Sequence, residues 1–297
     1  MTAHRAGFVN IVGKPNVGKS TLMNVLVGER LSIITSKAQT TRHRIMGIVN
    51  GSPDDGDDFQ IVYSDTPGML KPQYELHQSM MRFVNTALED ADVILFVTDL
   101  FDKQEDEDTS IEKLARTDVP VILVLNKIDL AKGTQMQDKL EYWKEIIQPK
   151  QAIAVSALEQ LNVGEVFQSI LSYLPEHPPY FPKEEMTDKP ERFFAAEIVR
   201  EKIFLNYKQE VPYSCEVVVT EFKEDDTIIR LRCEIYVERQ SQKGILIGKA
   251  GGALKKVGIQ AREDMEKFFG KQVHLEQFVK VAPNWRSEQR RLRNFGY

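Results

Sequence analysis

The stretch "GKPNVGKS", Gly13 to Ser20, has the residue types and spacing of a phosphate-binding loop. Its glycines let successive backbone N–H groups turn inward, and the helical segment "TLMNVLVG" that follows adds its positive end. We expect Lys19 to reach the β- and γ-phosphates of a nucleotide and the Ser20 hydroxyl to bind magnesium. The residues expected to line the nucleotide here are Gly13, Lys14, Pro15, Asn16, Val17, Gly18, Lys19 and Ser20.

A second stretch, "DTPG", comes directly after the strand-like run "FQIVYS". A carboxylate at the end of such a strand can hold the magnesium shell, which is the role expected for Asp65. Gly68 can offer its backbone N–H to the γ-phosphate. The stretch adds Asp65, Thr66, Pro67 and Gly68 to the candidate site.

Two more stretches close later strands and carry chemistry suited to a guanine base. The Asp129 carboxylate of "NKID" can accept from both the ring N–H and the amino group of guanine, whereas adenine offers no such donor pair. In "SAL", Ala157 can offer its backbone N–H to the guanine carbonyl. The candidate base-binding residues are Asn126, Lys127, Ile128, Asp129, Ser156, Ala157 and Leu158.

These four stretches together resemble the translation-factor-related class of GTPases, and the resemblance implies hydrolysis of GTP to GDP. The segment "KAQTTRHRIMG", residues 37 to 47, is similar to the first switch of the Era and tRNA-modification GTPases. That similarity implies a threonine that closes over magnesium and the γ-phosphate, and either Thr40 or Thr41 fits. Arg42, His43 and Arg44 either contact RNA or belong to a solvated switch segment. The implied catalytic set is Lys19, Thr40, Thr41, Asp65 and Gly68, and the implied magnesium ligands are Ser20, Thr40 or Thr41, and Asp65.

Met69 stands where many GTPases place a water-orienting glutamine, directly after "DTPG". A thioether cannot aim a water molecule at phosphate, so we expect slow intrinsic turnover. Asn16 suggests a compensation, because related GTPases use an asparagine there to hold a potassium ion over the phosphates.

A second glycine-rich stretch, "GILIGKAGGALKKVG", occupies residues 244 to 258. It lies between two predicted helices, after two predicted strands and before a third, and in that setting it resembles the signature of a bacterial-type KH RNA-binding domain. The resemblance implies that a nucleic-acid backbone approaches Gly248 and Gly251, with Lys249 supplying charge. The candidate RNA-binding residues are Gly248, Lys249, Ala250, Gly251, Lys255 and Lys256.

The charge distribution agrees with an RNA-binding region near the end of the chain. From residue 241 to residue 297 there are twelve Lys and Arg against five Asp and Glu, within a chain of net charge -5. The closing stretch "NWRSEQRRLRNFGY" either contacts RNA through its arginines and through Trp285, Phe295 and Tyr297, or forms a packed terminal helix.

The elements that must position these residues fall into two domains. Strand-like runs ("FVNIV", "IMGIV", "FQIVY", "DVILFV", "VPVILVL" and "AIAVS") alternate with helical segments, which predicts an α/β domain with a mostly parallel sheet. Five prolines between Pro175 and Pro190 predict a linker. The predicted organisation is an α/β P-loop GTPase domain over residues 1–174, a linker over 175–190 and a smaller α+β type II KH domain over 191–297.

Composition limits the remaining possibilities. Cys215 and Cys233 are too few for a disulfide framework and too isolated for a zinc site, so we expect small buried side chains in a reducing compartment. A strand-like run begins too soon for a signal peptide, and the longest apolar runs are too short for a bilayer, so the prediction is a cytoplasmic protein. The acidic stretches "PDDGDD" and "DKQEDED" lack calcium-loop spacing and are expected to be solvated loops.

Over nearly its whole length the sequence resembles the Era family of GTPases. The resemblance implies GTP, GDP and magnesium as ligands, and it implies binding near the 3′ end of 16S ribosomal RNA during 30S subunit assembly by a monomer. Peripheral inner-membrane association is also implied for the family, although the sequence has no amphipathic anchor. Two alternatives are a tRNA-modification GTPase, which lacks a KH domain, and a P-loop kinase, which "NKID" disfavours.

Overall fold

The computed structural model describes residues 4–52, 58–102 and 109–297. Most of both acidic stretches lies outside these residues, which include only Asp58 and Asp102 of them. By contacts the chain divides into two compact units, which we describe separately. The first comprises Met1–Ser32, Thr41–Lys71 and Met80–Asp188, and the second comprises Ile33–Thr40, Pro72–Ser79 and Lys189–Tyr297.

The first unit is built on a six-stranded sheet with the strand order β2-β3-β1-β4-β5-β6. Only the edge pair β2–β3 is antiparallel; the other four pairs are parallel. Every residue of β4 and β5 is buried, as their uninterrupted apolar runs predict for strands covered on both faces. The strands are β1 His4–Val12, β2 Ile45–Gly51, β3 Asp58–Asp65, β4 Val93–Asp99, β5 Val121–Asn126 and β6 Gln151–Ala154.

This arrangement confirms the predicted α/β domain with a mostly parallel sheet. Parallel strands bring their carboxyl ends to one edge, so the segments that follow β1, β3, β4 and β5 meet there. The helices in this part of the chain are α1 Lys19–Val27, α2 Glu75–Glu89, α3 Thr109–Arg116, α4 Gln135–Ile147 and α5 Val163–Tyr173.

The proline-rich stretch after α5 is hydrogen-bonded to strands of the first unit. Ala6 N donates to Pro175 O over 3.2 Å, and Ile48 N donates to Met186 O over 2.9 Å. The Gln60 side chain accepts from Tyr180 N at 2.7 Å. The change from one unit to the other therefore falls between Asp188 and Lys189.

The second unit contains a three-stranded sheet with the order β7-β8-β9. The pair β7–β8 is antiparallel and β8–β9 is parallel. Along the chain two helices separate β8 from β9, which confirms the predicted order of two strands, two helices and a third strand. Both cysteines are buried in its core, as predicted. Its elements are α6 Glu191–Asn206, β7 Glu216–Glu224, β8 Ile228–Val237, α7 Gln240–Ile247, α8 Gly252–Phe269, β9 Gln272–Val281 and α9 Gln289–Asn294.

Among the described residues, no helix combines the length and apolar character needed to cross a bilayer.

Candidate functional site

The phosphate loop connects β1 to α1 and packs closely against neighbouring strands. Gly13 has φ 150°, and a Cβ atom there would lie 2.1 Å from the carbonyl oxygen of Val97 in β4. Gly18 has φ 97°, and its Cβ would lie 2.2 Å from Asn126 Nδ2. Such distances exclude a side chain, so glycine is required for this close approach of the loop to β4 and β5.

Lys19 is buried at the start of α1, with 6% of its surface exposed. Its Nζ donates to Gly13 O at 3.0 Å and to Lys14 O at 2.9 Å. Burial lowers the pKa of Lys19 to about 8, although the nearby Asp65 and Asp102 carboxylates favour its charged form. The protein therefore compensates only part of the positive charge of the Lys19 ammonium group.

Ser20, Thr41 and Asp65 form an oxygen-rich cluster beside the loop. Ser20 Oγ donates to Asp65 Oδ2 at 2.6 Å and lies 2.9 Å from Thr41 Oγ1. The second carboxylate oxygen, Asp65 Oδ1, is buried without a hydrogen-bond partner. Burial raises the pKa of Asp65, and the Ser20 hydrogen bond and the Lys19 charge oppose that rise.

This donor set fits magnesium, which prefers hydroxyl, carboxylate and water oxygens. The orphaned Asp65 oxygen is the observation that favours a cation here, because a buried carboxylate oxygen with no partner is costly.

The two candidate switch threonines have different surroundings. Thr40 Oγ1 lies 2.6 Å from Thr35 Oγ1 and donates to Lys37 O at 2.7 Å, within the second unit. Thr41 belongs to the first unit and lies next to Ser20 and 3.5 Å from Asp65 Oδ2. The structure therefore brings Thr41, and not Thr40, to the cluster.

The stretch after β3 is fixed from several sides. Thr66 Oγ1 donates to Ile11 O at 2.7 Å, and a Cβ on Gly68 would lie 2.6 Å from Pro15 Cγ. The backbone N–H of Met69 donates to Gly13 O at 3.0 Å, while its side chain packs in the core of the first unit. The segment after "DTPG" thus presents an apolar group to the core rather than a polar one to a water molecule.

At the carboxyl ends of β5 and β6, side chains join the remaining stretches. Asn126 Nδ2 donates to Val17 O and its Oδ1 accepts from Ala157 N, both at 2.9 Å. Ser156 Oγ donates to Asp129 Oδ1 at 2.6 Å. Asn126 therefore connects the phosphate loop to the "SAL" segment, and the Ala157 N–H expected to face a base donates to Asn126 instead.

The two apolar candidate base-binding residues have side chains that cannot form hydrogen bonds. Ile128 begins the 3-10 turn Ile128–Leu130, and the side chain of Leu158 is exposed.

Two further acidic residues belong to this edge: Asp99, which the sequence analysis did not single out, and Asp102, which begins an acidic stretch expected to be solvated but has a side chain only 6% exposed. Lys127 Nζ donates to Asp99 Oδ2 at 2.7 Å and to Asn16 O at 2.6 Å. Lys14 Nζ lies 3.2 Å from Asp102 Oδ1. Asp99 is the last residue of β4, and this position at the carboxyl edge of the sheet was a signal that could have identified it.

The interpretations offered for the basic run after Thr41 are both wrong for its arginines. Arg44 is 8% exposed, and its Nε donates to Ser64 Oγ at 2.6 Å. Its Nη1 and Nη2 form a bidentate salt bridge with the Asp90 carboxylate, at 2.5 and 2.9 Å. Arg42 is 1% exposed. The Arg44 guanidinium therefore pairs within the first unit, and both arginine side chains are buried, so they are neither solvated nor exposed to RNA.

The second glycine stretch forms a tight loop between α7 and α8 in the second unit. Gly248 has φ 71° and ψ -178°, and a Cβ on it would lie 2.6 Å from Ala253 Cβ. Lys249 and Ala250 are exposed, as are Lys255 and Lys256 in the first turns of α8. Gly251, with φ 76°, precedes α8. The loop thus exposes backbone and lysine side chains together.

A groove of about 400 Å³ runs beside this loop, between α8 and β9. Leu254, Ile259 and Leu275 make its lining partly apolar, and Lys255 and Arg262 add positive charge. The apolar lining suits flat nucleobases, and the positive charge suits phosphates.

The closing stretch of the chain is a packed element. Trp285 is fully buried and its Nε1 donates to Ser214 O at 2.9 Å, while its ring centroid lies 5.5 Å from that of Phe295. Tyr297 Oη donates to Glu216 Oε2 at 2.7 Å. Of the two alternatives left open by the sequence, packing accounts for these aromatic side chains.

Comparison with known proteins matches both units. Residues 8–127 match the family model described as "50S ribosome-binding GTPase", and residues 210–286 match that of the KH domain. GTPase Era of Syntrophus aciditrophicus is 44% identical over 99% of this chain and 95% of its own length. GTPase Era of Staphylococcus haemolyticus is 42% identical over 100% of this chain and 98% of its own length.

Two solved structures of Era are similar over 99% of both chains, each at 40% identity. One is a variant of Aquifex aeolicus Era bound to GDP·AlF4⁻, with a TM-score of 0.92. The other is Era in complex with MgGDPNP and nucleotides 1506–1542 of 16S ribosomal RNA, with a TM-score of 0.90. Because the likeness extends over the full chain and both of its domains, this chain belongs to the Era family of GTPases.

Proposed function

We propose that this chain binds GTP with magnesium and hydrolyses it to GDP and phosphate. We further propose that its second unit binds 16S ribosomal RNA near the 3′ end during 30S subunit assembly, as a cytoplasmic monomer. The observation that carries the nucleotide part is the Ser20, Thr41 and Asp65 cluster with its orphaned carboxylate oxygen. The two related Era structures, one with MgGDPNP and RNA, support both parts.

Hydrolysis would proceed by attack of water in line with the bond to the γ-phosphate, with no protein nucleophile. Lys19 would exchange its two carbonyl acceptors for phosphate oxygens, and the Gly68 N–H would donate to the γ-phosphate. Ser20, Thr41 and Asp65 would hold magnesium, with Asp65 acting through water. When bound, magnesium neutralises charge that develops on the phosphate oxygens.

We assign the switch role to Thr41 rather than Thr40. The support is geometric, since Thr41 Oγ1 lies 2.9 Å from Ser20 Oγ whereas Thr40 Oγ1 is engaged with Lys37 O. Thr41→Ala should weaken magnesium-dependent turnover more than Thr40→Ala does, and single-turnover hydrolysis at several magnesium concentrations measures the difference. Equal losses in both variants would contradict the assignment.

Guanine selection would rest on Asp129, which Ser156 Oγ orients from one side. Displacement of a bound fluorescent GDP analogue by GTP or by ATP tests the nucleotide assignment directly. We expect GTP to win by at least about a hundredfold, because an adenine would leave the carboxylate without donors. ATP competing as well as GTP would overturn the proposed GTPase function.

Asp129→Asn sharpens that test, because the amide can donate to a carbonyl where the carboxylate could only accept. The variant should lose GTP affinity by about a hundredfold and gain affinity for xanthosine triphosphate, whose ring bears a carbonyl in place of the amino group. Glu159→Gln is the matched control: its side chain is exposed and its backbone N–H donates to Ser156 Oγ at 3.2 Å, and the change should leave the GTP preference intact. An unchanged GTP preference in Asp129→Asn would contradict the assigned role of the carboxylate.

Turnover is proposed to be slow and raised by potassium. Met69 packs in the core and offers no group to orient water. Asn16 is exposed on the phosphate loop and has a φ of 66°. A potassium ion held by Asn16 would add positive charge at the phosphates. Hydrolysis in potassium should exceed that in sodium, and Asn16→Ala should remove the difference; equal rates in both salts would disprove the idea.

The RNA partner can be identified without assuming it. Crosslinking the full chain to cellular RNA and sequencing the fragments should enrich the 3′ region of 16S ribosomal RNA. Enrichment of transfer RNA or messenger RNA instead would overturn this part of the proposal, while leaving the GTPase assignment standing.

A further inference from the structure

Arg44 is a buried charge in the basic run after Thr41, and the site described above does not use it. Each of its three side-chain nitrogen atoms donates within the first unit. Nε donates to Ser64 Oγ at 2.6 Å, and Nη2 donates to Asn10 Oδ1 at 3.2 Å. Nη1 and Nη2 also form the bidentate salt bridge with Asp90. One guanidinium group therefore joins β1, β3 and the residue that follows α2.

The partners of Arg44 are themselves held in place. Asn10 is fully buried in β1, and its Nδ2 donates to Asp90 Oδ1 at 2.8 Å and to Ala87 O of α2 at 2.5 Å. Ser64 is fully buried in β3 and is the partner of Asn10 in the β1–β3 register. A connected polar network of this kind gives its members defined positions, so the Arg44 side chain is fixed on three sides.

Arg44 is close along the chain to two of the proposed magnesium ligands. Thr41 is three residues before Arg44, so the Cα atoms of the two residues lie within about 11 Å of each other. On the other side, Ser64 directly precedes Asp65, and Ile45, the residue after Arg44, pairs with Asp65 in the β2–β3 register. Arg44 thus holds together the two chain segments that carry Thr41 and Asp65.

From this arrangement we infer that Arg44 is the positioning residue of the proposed magnesium site, because it fixes Thr41 and Asp65 relative to each other. The inference rests on the proposed GTPase function and adds the group that sets its affinity for magnesium. Magnesium demands near-octahedral geometry with short bonds, so a small displacement of one ligand weakens binding. Loss of a group that orients metal ligands typically lowers metal affinity by about 10–100-fold.

The first experiment measures how tightly the full-length chain binds a fluorescent, non-hydrolysable GTP analogue in saturating magnesium and in EDTA. The ratio of the two affinities reports the contribution of magnesium. Arg44→Met should lower this ratio about tenfold while changing the affinity in EDTA less than about twofold. Arg44→Lys should lower the ratio to a similar extent, because a single ammonium group does not reproduce the forked geometry of a guanidinium.

Two further variants make this test specific. Arg116→Met removes the same kind of side chain from an exposed position on α3, and as the matched control it should leave the ratio unchanged. Asp90→Asn is the milder variant in case Arg44→Met does not fold, because the Asp90 side chain is 40% exposed and an amide oxygen can still accept one hydrogen bond. It should lower the ratio about threefold, since the bidentate salt bridge is lost.

The second experiment repeats the measurement in the Thr41→Ala background. If Arg44 acts by positioning the threonine hydroxyl, the loss caused by Arg44→Met should shrink from about tenfold to about threefold there, because only the effect on Asp65 remains. An arginine that merely stabilises the fold would give the same loss in both backgrounds.

The outcomes separate this inference from the proposed function. A wild-type ratio in the folded Arg44 and Asp90 variants, or equal losses of affinity in magnesium and in EDTA, would overturn the inference while the GTPase proposal stands. The same loss of the ratio in Arg116→Met would also overturn it. A wild-type chain that binds no GTP analogue under either condition would overturn both.

Discussion

Lys19 and Asp65 are ionisable side chains buried in the candidate nucleotide site. Lys19 is 6% exposed and Asp65 fully buried, and burial disfavours the charged form of each. The chain keeps both ionisable residues here even though Asp65 Oδ1 has no hydrogen bond. In the proposed function, a nucleotide with its cation would supply the missing partners, so these residues would be better suited to the bound state than to the free one.

A pH dependence of GTP binding follows from Lys19. Its pKa is about 8 in the free site, and phosphate charge would raise it, so binding takes up a proton. Affinity should therefore fall as pH rises from 7 to 8.5, by about fourfold. Calorimetry in two buffers of different ionisation enthalpy measures the uptake directly.

Lys19→Arg is the control for this prediction, because a guanidinium stays charged across the range. If it still binds GTP, its affinity should not follow that decline. Wild-type binding without proton uptake at pH 8 would contradict the assigned role of Lys19.

Helix α6 carries an unusual set of buried charges in the second unit. Arg200 is fully buried, and its Nε and Nη2 donate to Glu197 at 2.7 and 2.5 Å. Burial alone would lower the pKa of Arg200, but Glu197 outweighs it and raises that pKa. Arg200 Nη2 also donates to Thr40 O at 2.5 Å. Lys37 Nζ donates to the carbonyl of Phe204 in the last turn of α6 and to that of Tyr207, the residue after the helix. These contacts hold the segment Ile33–Thr40 within the second unit.

Glu197→Gln tests how strongly α6 depends on its ion pair. Loss of the carboxylate removes the main counter-charge of the buried Arg200 guanidinium and leaves the weaker influence of Glu216, which should lower the free energy of unfolding by about 3 kcal/mol. Urea unfolding followed by circular dichroism measures the change. Glu191→Gln, an exposed change in the first turn of α6, should cost less than about 1 kcal/mol; equal losses would refute the argument.

The two units differ in charge as well as in fold. The chain has a net charge of -5, yet residues 241 to 297 carry twelve Lys and Arg against five Asp and Glu. Exposed lysines lie at and beside the glycine loop, whereas Arg44 of the first unit forms a salt bridge with Asp90 inside that unit. An acidic average therefore conceals a local surface suited to phosphate.

Salt dependence of RNA binding checks this distribution. Each lysine that contacts a phosphate of a single strand contributes about 0.7 to the slope of log affinity against log salt. Lys249→Ala and Lys255→Ala should each reduce the slope by about that amount. Lys144→Ala makes the same charge change on an exposed part of α4 and should leave the slope unchanged; a reduction there would show that RNA contacts are not concentrated at the loop.

The sequence by itself determined the fold class and most of the candidate nucleotide residues. The reason is that this information is local: apolar runs specify buried strands, and "GKPNVGKS", "DTPG" and "NKID" each follow one. In a parallel sheet the carboxyl ends of neighbouring strands share an edge, so residues distant in sequence were brought together without knowledge of the packing.

Only the tertiary structure decided which side chains meet. It placed Thr41 beside Ser20 while Thr40 bonds to Lys37, paired Arg44 with Asp90, and joined Lys127 to Asp99. Local patterns specify which face of an element is buried, but a polar side chain's partner depends on the register and packing of elements far apart in the chain.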